Sequence, residues 1–407
     1  MKRIHIPTPN LKKYSFNDSF FSIGSCFSEN VAGYLDLLGI NTFSNPFGVV
    51  YNPHSIYQQL LHITAKDKYS AEDLSFYNGK YFLFCHSAGN DNANPDTVLN
   101  SADTQLQAAK DFFCNSSVIL ITLGSAVVYE TESAMFKAGE NEKIITANCH
   151  RVPQSKMTRR LLSHDECCEY ISDTVKLIKT AKPDVDIFFT VSPAKHYPGE
   201  PLLDSVSKSR LKSALAQTIK NTENVFYFPS YEIFHDELCG KEWYKNDGTH
   251  PNKKAVSFIM KRFVSSSFDR QTLSVMKEIT AIRKLLHHRA TNPESNANFE
   301  MLKKVAARLN AVKRANTASL RFDTACKLSE YFYNNEQIDK LIDDLLCDCG
   351  HSDCHDKKSL LLKLISFFRK ECSLQSLPKE LFSDKQLSSM LISVNFPLFV
   401  IMQSSKA

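Results

Sequence analysis

The chain has 407 residues, 43% of them hydrophobic, enough to bury one large core or two smaller ones, and its length points to two or three domains. A net charge of +5 is small for that length, and the basic residues are scattered rather than gathered in an arm, so the sequence carries no footprint for nucleic acid. Twelve cysteines follow a start, Met1-Lys2-Arg3-Ile4-His5-Ile6-Pro7, with no apolar stretch of signal-peptide length; reduced thiols in a soluble cytoplasmic protein are expected, not a disulfide framework.

The first element is a short apolar run, Phe21-Ser22-Ile23, that stops at Gly24. It opens through Ser25-Cys26-Phe27-Ser28 onto Val31, Tyr34, Leu35 and Leu38 at helical spacing. The pattern predicts strand, tight turn and helix, with Ser28 as the helix cap and Gly39 at the helix end. Such a turn sets two kinds of nucleophile, Ser25 and Cys26, at the carboxyl edge of a strand beside a helix N-terminus. A small-residue turn without chemistry is the plain alternative. A second short strand is expected over residues 40–43. It leads into the loop Asn45-Pro46-Phe47-Gly48, which continues to Asn52-Pro53 and whose backbone N–H groups could point into a site. A hairpin over residues 73–85 turns at Asn78-Gly79 and delivers His86.

Residues 117–123 are nearly all apolar, as in a strand buried on both faces of a parallel sheet, and this run also stops at a glycine, Gly124. A polar loop, Asn148-Cys149-His150, precedes a helix expected over 165–180. The strand over 185–191 runs into Ser192-Pro193-Ala194-Lys195-His196. Helix 207–220 and strand 225–228 follow, then Tyr231-Glu232 and Asp247-Gly248-Thr249-His250-Pro251. Strands alternating with helices over roughly 260 residues predict a doubly wound, mostly parallel sheet with helices on both faces.

Beyond residue 252 the period is helical. Ala255, Phe258, Ile259 and Phe263 mark a closing helix; Leu273, Met276, Ile279, Ile282 and Leu286 line one face of the next; Ala325, Leu328, Phe332, Ile338, Leu341 and Leu345 suggest others. The expected division is an α/β domain over 1–265 and a helical C-terminal region over 266–407, the latter available to a protein partner. The apolar stretch from Met390 to Met402 contains Asn395 and Pro397 and is too short for a transmembrane segment. Cys347, Cys349, His351, Cys354 and His355 crowd one short stretch: the ligand types suit a structural zinc, with Cys347, Cys349, Cys354 and His355 as its set, while the alternative is a polar interhelical loop.

The spacing Asp247-x-x-His250 puts a carboxylate and an imidazole on one loop, where the first can orient the second. Together with the elbow at residues 24–26, it makes the elements of a nucleophile, base and orienter. The strings Gly24-Ser25-Cys26-Phe27-Ser28-Glu29, Asn45-Pro46-Phe47-Gly48, Gly124-Ser125-Ala126-Val127-Val128-Tyr129, Asn148-Cys149-His150, Ser192-Pro193-Ala194-Lys195-His196 and Asp247-Gly248-Thr249-His250-Pro251 resemble the bacterial GSCFA-domain family, grouped with the SGNH (GDSL-like) hydrolases. The resemblance covers about residues 1–265. It implies a three-layer α/β/α, flavodoxin-like fold in which a nucleophile follows the first strand and the Asp247–His250 loop supplies orienter and base.

Set against the superfamily's Gly-Asp-Ser-Leu, Cys26 takes the serine place and Ser25 the aspartate place. A thiol at a helix N-terminus beside an imidazole is readily driven to thiolate, which favours Cys26 over Ser25. The oxyanion donors implied are the nucleophile's own N–H, the Gly48 N–H and an asparagine side chain, but Ala126 stands at the asparagine place. Asn45, Asn148 or another group would have to substitute. His86, His150, His196 and Glu232 lie after strands or in polar loops that could converge on the same edge, and His196 rivals His250 as base. The activity implied is acyl-ester hydrolysis or O-acyl transfer through a covalent acyl-enzyme intermediate. It needs no cofactor and would act on a small-molecule or glycan ester, an O-acylated carbohydrate or cell-envelope precursor. The rival is a non-catalytic binding or scaffold protein that retains the fold. Metal-dependent phosphodiester hydrolysis is disfavoured, because no paired-carboxylate cluster stands out in the α/β part.

Overall fold

The computed structural model describes residues 4, 6, 13–136, 142–220, 222–287, 295–312 and 314–329. The chain falls into two compact units, Met1–Asp269 and Arg270–Ala407. The first holds, in chain order, β1 (Phe20–Gly24), α1 (Cys26–Leu37), β2 (Thr42–Ser44), α2 (Pro53–Ala65), β3 (Ser75–Tyr77), β4 (Lys80–Phe82), α3 (Pro95–Asn115), β5 (Val118–Leu123), β6 (Val127–Glu132), β7 (Lys143–Thr146), β8 (Thr158–Leu161), α4 (His164–Ala181), β9 (Asp186–Val191), α5 (Pro201–Ile219), β10 (Val225–Tyr227), the single turn α6 (Ser230–Glu232) and α7 (Lys253–Ser267).

Five strands form a parallel sheet in the order β2-β1-β5-β9-β10. Counted along the chain within that sheet this is 2-1-3-4-5, the flavodoxin-like winding, and the chain reverses direction between β1 and β5. Both strands at the reversal are buried along their whole length. Their alternation sorts the core: Phe21, Ile23, Ile119, Ile121 and Leu123 pack with Leu60 of α2, Leu106 of α3, Ile171 of α4 and Leu211 of α5. On the other face Phe20 stacks on Phe268 and Phe188 meets Phe263 edge-on, and α1 packs against α7. Each such aromatic contributes about 1.5–3 kcal/mol of burial. The result is a sheet between two helical layers.

Several local expectations are corrected. The α1 cap is Ser25, whose Oγ accepts from the Phe27 N–H at 3.3 Å; Ser28 is buried inside the helix, its Oγ without a partner among the described residues. The β2 strand begins two residues later than expected, at Thr42. Two helices, α2 and α3, and the antiparallel sheet β7-β6-β8 were not anticipated. The hairpin at Asn78-Gly79 forms as expected, with both residues at positive φ.

The second unit contains α8 (Arg270–Leu286), α9 (Asn296–Ala311) and α10 (Ala318–Ser329). Met276, Ile279, Ile282 and Leu286 of α8 are buried, as are Leu302, Val305 and Leu309 of α9. Arg308 clamps Glu278 through two hydrogen bonds of 2.6 and 3.0 Å. Residues 347–355, with the zinc ligands proposed from sequence, lie outside the described residues.

Candidate active site

Where a doubly wound sheet reverses direction, the loops leaving the two diverging strands part and leave a crevice at the carboxyl edge. Here those loops begin at Gly24 and Gly124. The Ser25 N–H donates to Thr122 O at 3.0 Å, and Gly24 presses so closely on β5 that a Cβ on it would stand 2.2 Å from Thr122 O. Gly24 also has φ +128°, a conformation that glycine alone adopts easily. The Gly24 N–H donates to Asn45 Oδ1 at 2.8 Å, so the second loop is pinned to the first.

The elbow presents its two candidate nucleophiles differently. Ser25 is fully buried and its hydroxyl is engaged as the helix cap, whereas Cys26, at the first helical position, is half-buried. Burial first, then the Glu29 carboxylate one turn along, push the Cys26 thiol up; the charges of Lys245 and Lys208 and the residue's own N–H pull the other way without cancelling this. The expected thiolate at a helix N-terminus is therefore corrected: desolvation outweighs the helix end, and Cys26 rests as a thiol that needs a base.

His250 and Asp247 meet as their spacing predicts. His250 Nδ1 lies 2.8 Å from Asp247 Oδ2, and Thr249 Oγ1 sits at the same distance from that nitrogen. The N–H groups of His250 and Thr249 converge on Asp247 Oδ1 at 3.0 and 2.8 Å and hold this exposed carboxyl well below the usual carboxylate range. With Nδ1 turned to a carboxylate, Nε2 is the basic nitrogen of the ring. Lys195 N–H donates to Thr249 O at 3.1 Å, fastening this loop to the one that leaves β9, and the His250 charge is felt at His196.

Sequence reasoning missed what lies beneath. Lys208 of α5 is fully buried, and its ammonium donates to Gly124 O at 2.7 Å and to Ser192 O at 2.8 Å and faces His196 Nδ1 at 3.1 Å. Burial pushes Lys208 down to about 7 and, with the Lys208 charge alongside, pushes His196 well below its ordinary value. One turn earlier, Asp204 Oδ1 accepts from the N–H groups of His196 and Tyr197 at 2.9 and 3.2 Å. Ser207 Oγ accepts from Ala126 N–H at 2.8 Å and lies 3.1 Å from Ser125 Oγ. Tyr51 completes the group: its carbonyl accepts from Gly124 and Ser125 N–H, and its ring meets His196 edge-on at 5.1 Å. One signal for Lys208 was present, since it falls in phase with Leu211 and Leu215 on the buried stripe of α5.

Other candidates have other partners. Gly48 N–H closes a turn onto Asn45 O at 2.8 Å, and a Cβ there would meet Ser87 Oγ at 2.1 Å, so its donor is engaged and its glycine answers to packing at positive φ. Asn45 Nδ2 is buried without a partner among the described residues. His86 and His150 belong to a separate buried cluster. His86 Nε2 lies 2.8 Å from Tyr69 OH and its ring stacks on Phe47; His150 has Asp91 Oδ1 at 2.9 Å and His86 O at 3.0 Å, and stacks on Phe82. Asn148 Oδ1 accepts from His150 N–H in the adjoining turn. Glu232 accepts from Tyr227 OH at 2.8 Å and pairs with Lys212. Among the described residues no group of three or more His, Cys, Asp or Glu side chains is arranged to hold a metal ion, and no helix is long and apolar enough to cross a membrane.

No curated protein matches the chain. Among solved structures it is similar to a carbohydrate esterase family 3 protein from Talaromyces cellulolyticus, at 12% identity and a TM-score of 0.23. The match covers 41% of this chain and 63% of that one, less than two thirds of its length. A model of the GSCFA family matches residues 19–263. Since that span is more than half of the chain and contains the β1 elbow, the α5 clamp and the Asp247–His250 loop, the chain belongs to the GSCFA family.

Proposed function

We propose that this protein is an SGNH-type acyl-ester hydrolase or O-acyltransferase that works through a thioester at Cys26. The reading is supported by a half-buried thiol at the strand-to-helix elbow that feels the Lys208 and Lys245 charges, and by an imidazole oriented by Asp247 on a loop that Lys195 N–H ties to the loop leaving β9. His250 Nε2 takes the thiol proton as the sulfur attacks the ester carbonyl. The tetrahedral oxyanion is met by the Cys26 N–H, one of the groups a helix N-terminus leaves without an intrahelical partner. Collapse expels the alcohol, protonated by the imidazolium, and leaves an acyl thioester. Water or a second alcohol then gives its proton to His250, attacks the thioester and restores the thiol. Asp247 keeps its charge throughout, because backbone N–H groups hold it low. Ser25 serves as cap rather than nucleophile. The substrate class, an O-acyl group on a carbohydrate or cell-envelope precursor, comes from the SGNH resemblance alone.

A panel of p-nitrophenyl acyl esters followed by intact-mass measurement and peptide mapping tests this. The expected result is a single acyl adduct on Cys26, lost in Cys26→Ala. Iodoacetamide alkylation of Cys26 should show a pH midpoint above that of free cysteine. Adducts absent across the panel would favour the second reading, a binding protein that kept the fold, which Ala126 at the asparagine place and the raised thiol both support.

A further inference from the structure

The reading above leaves the oxyanion with one donor, since Ala126 carries no side-chain N–H and Gly48 N–H is engaged. The backbone of the third loop is engaged as well: Gly124 and Ser125 N–H go to Tyr51 O, and Ala126 N–H goes to Ser207 Oγ. The ring of His196 stands over that loop, with Nε2 2.8 Å from where a Cβ on Gly124 would lie, and Ser25 Cβ is 3.2 Å from the same point. A glycine at 124 thus lets the imidazole edge come down beside the elbow. The His196 ring has Lys208 at Nδ1 and the Ala194 backbone close by, with no further hydrogen bond to Nε2 found among the described residues, and the unpartnered donor nearby, Asn45 Nδ2, is closed off from solvent.

Resting on the Cys26 reading, we infer that His196 Nε2–H is the missing side-chain donor of the oxyanion site and that Lys208 sets it there as a positioning residue. An ammonium has three N–H bonds, and Lys208 has three partners: Gly124 O, Ser192 O and His196 Nδ1. Donating to Nδ1 leaves the neutral ring its proton on Nε2, which makes His196 a donor and removes it as a base. The opposite arrangement, a neutral amine accepting from Nδ1–H, would turn Nε2 into a base. Burial pulls the Lys208 amine down to about 7 while Asp204, one turn earlier on the same helix, supports its charge, so the ammonium form is the one present below that pH. Asp204 also fixes the backbone at His196 and Tyr197, and Ser207 fixes Ala126 N–H, so three side chains of α5 hold both loops that frame the ring.

Two measurements at pH 6 to 6.5 decide it. Ring nitrogen-15 spectra of the whole protein should show His196 Nε2 protonated and Nδ1 as an acceptor, with the preference lost in Lys208→Met; a proton on Nδ1 overturns the proposal whatever the activity. With p-nitrophenyl acetate, His196→Asn keeps an acceptor for Lys208 but loses the Nε2 donor. It should lower kcat roughly 10²–10³-fold with little change in KM. His196→Gln, which can return a donor near Nε2, should recover part of the loss. Wild-type acylation at Cys26 with His196→Asn within threefold of it sinks the donor role alone. Absence of any wild-type acylation sinks the Cys26 reading, and the donor role with it. If His196→Asn does not fold, the spectra and the glutamine variant still decide.

Discussion

Gly24 and Gly124 face each other across the point where the sheet reverses, and each excludes a side chain for its own reason. A methyl group on Gly24 would meet the carbonyl of Thr122 at 2.2 Å in a backbone at φ +128°, and neither the strand nor the dihedral can yield cheaply. Gly24→Ala should therefore cost more than about 3 kcal/mol of stability. On Gly124 the nearest obstacles are side chains, His196 Nε2 at 2.8 Å and Tyr51 Cδ1 at 3.0 Å. Gly124→Ala should cost about 1–3 kcal/mol but push the imidazole aside, so its acylation rate should fall further than its stability. Urea denaturation and p-nitrophenyl acetate kinetics on both variants check the contrast; a fully active Gly124→Ala would place the ring elsewhere. At this scale the elbow and the Asp247–His250 pair were legible, since both are short local spacings. Lys208 was not, because a lysine in a helix reads as solvated surface until the strand it faces is known. His86 and His150 were misleading for the converse reason: a polar loop in sequence became a packed cluster in space.

Whole elements were legible where one period dominated the local sequence. The strands β1, β5 and β9 are apolar on both faces, and α4 alternates with a strong single face. In α3 two of the five core positions, Ala102 and Ala109, are small, which weakens the stripe. In β8, Thr158-Arg159-Arg160-Leu161 pairs with β6 through a largely polar strand that no hydrophobic alternation announces. The register of α1 depended on which serine caps it, and this has a functional consequence. Because Ser25 is the cap, Ser25→Ala should lose about 1 kcal/mol of stability, the usual cost of a lost N-cap. It should still form the acyl adduct at Cys26. An adduct that vanishes in Ser25→Ala while the fold persists would transfer the nucleophile to the serine, and peptide mapping distinguishes the two.

For the α/β unit as a body, the telling feature is how many neutral histidines it buries. Burial, reinforced by Arg160 near His54 and by Lys66 near His62, pushes both rings down to about 4, and burial with His62 and His150 nearby pushes His86 down to about 3. In the unfolded chain each would titrate near its ordinary value of about 6.5. Between roughly pH 6 and 4.5 the unfolded state therefore binds close to three more protons at these rings than the folded one, so the stability they allow is full above pH 6.5 and is lost as pH falls, and His196, held low as well, adds to the loss. The slope should approach about 4 kcal/mol per pH unit near pH 5, before carboxylates such as Asp73 and Asp91, which are held low, add their own loss at lower pH. Trp243 is the single tryptophan of the chain and lies in this unit, so its fluorescence follows this transition rather than that of the C-terminal helices. Urea melts at pH 7.5, 6 and 5 should show the midpoint falling steeply. His54 offers the control, since its Nδ1 is buried without a partner among the described residues and its ring meets Tyr170 edge-on. His54→Phe keeps the ring contact and removes one titrating group, and it should lower the slope by about 1.4 kcal/mol per pH unit. A midpoint that stays level from pH 7.5 to 5 would mean that water reaches these rings in solution, including the two on α2.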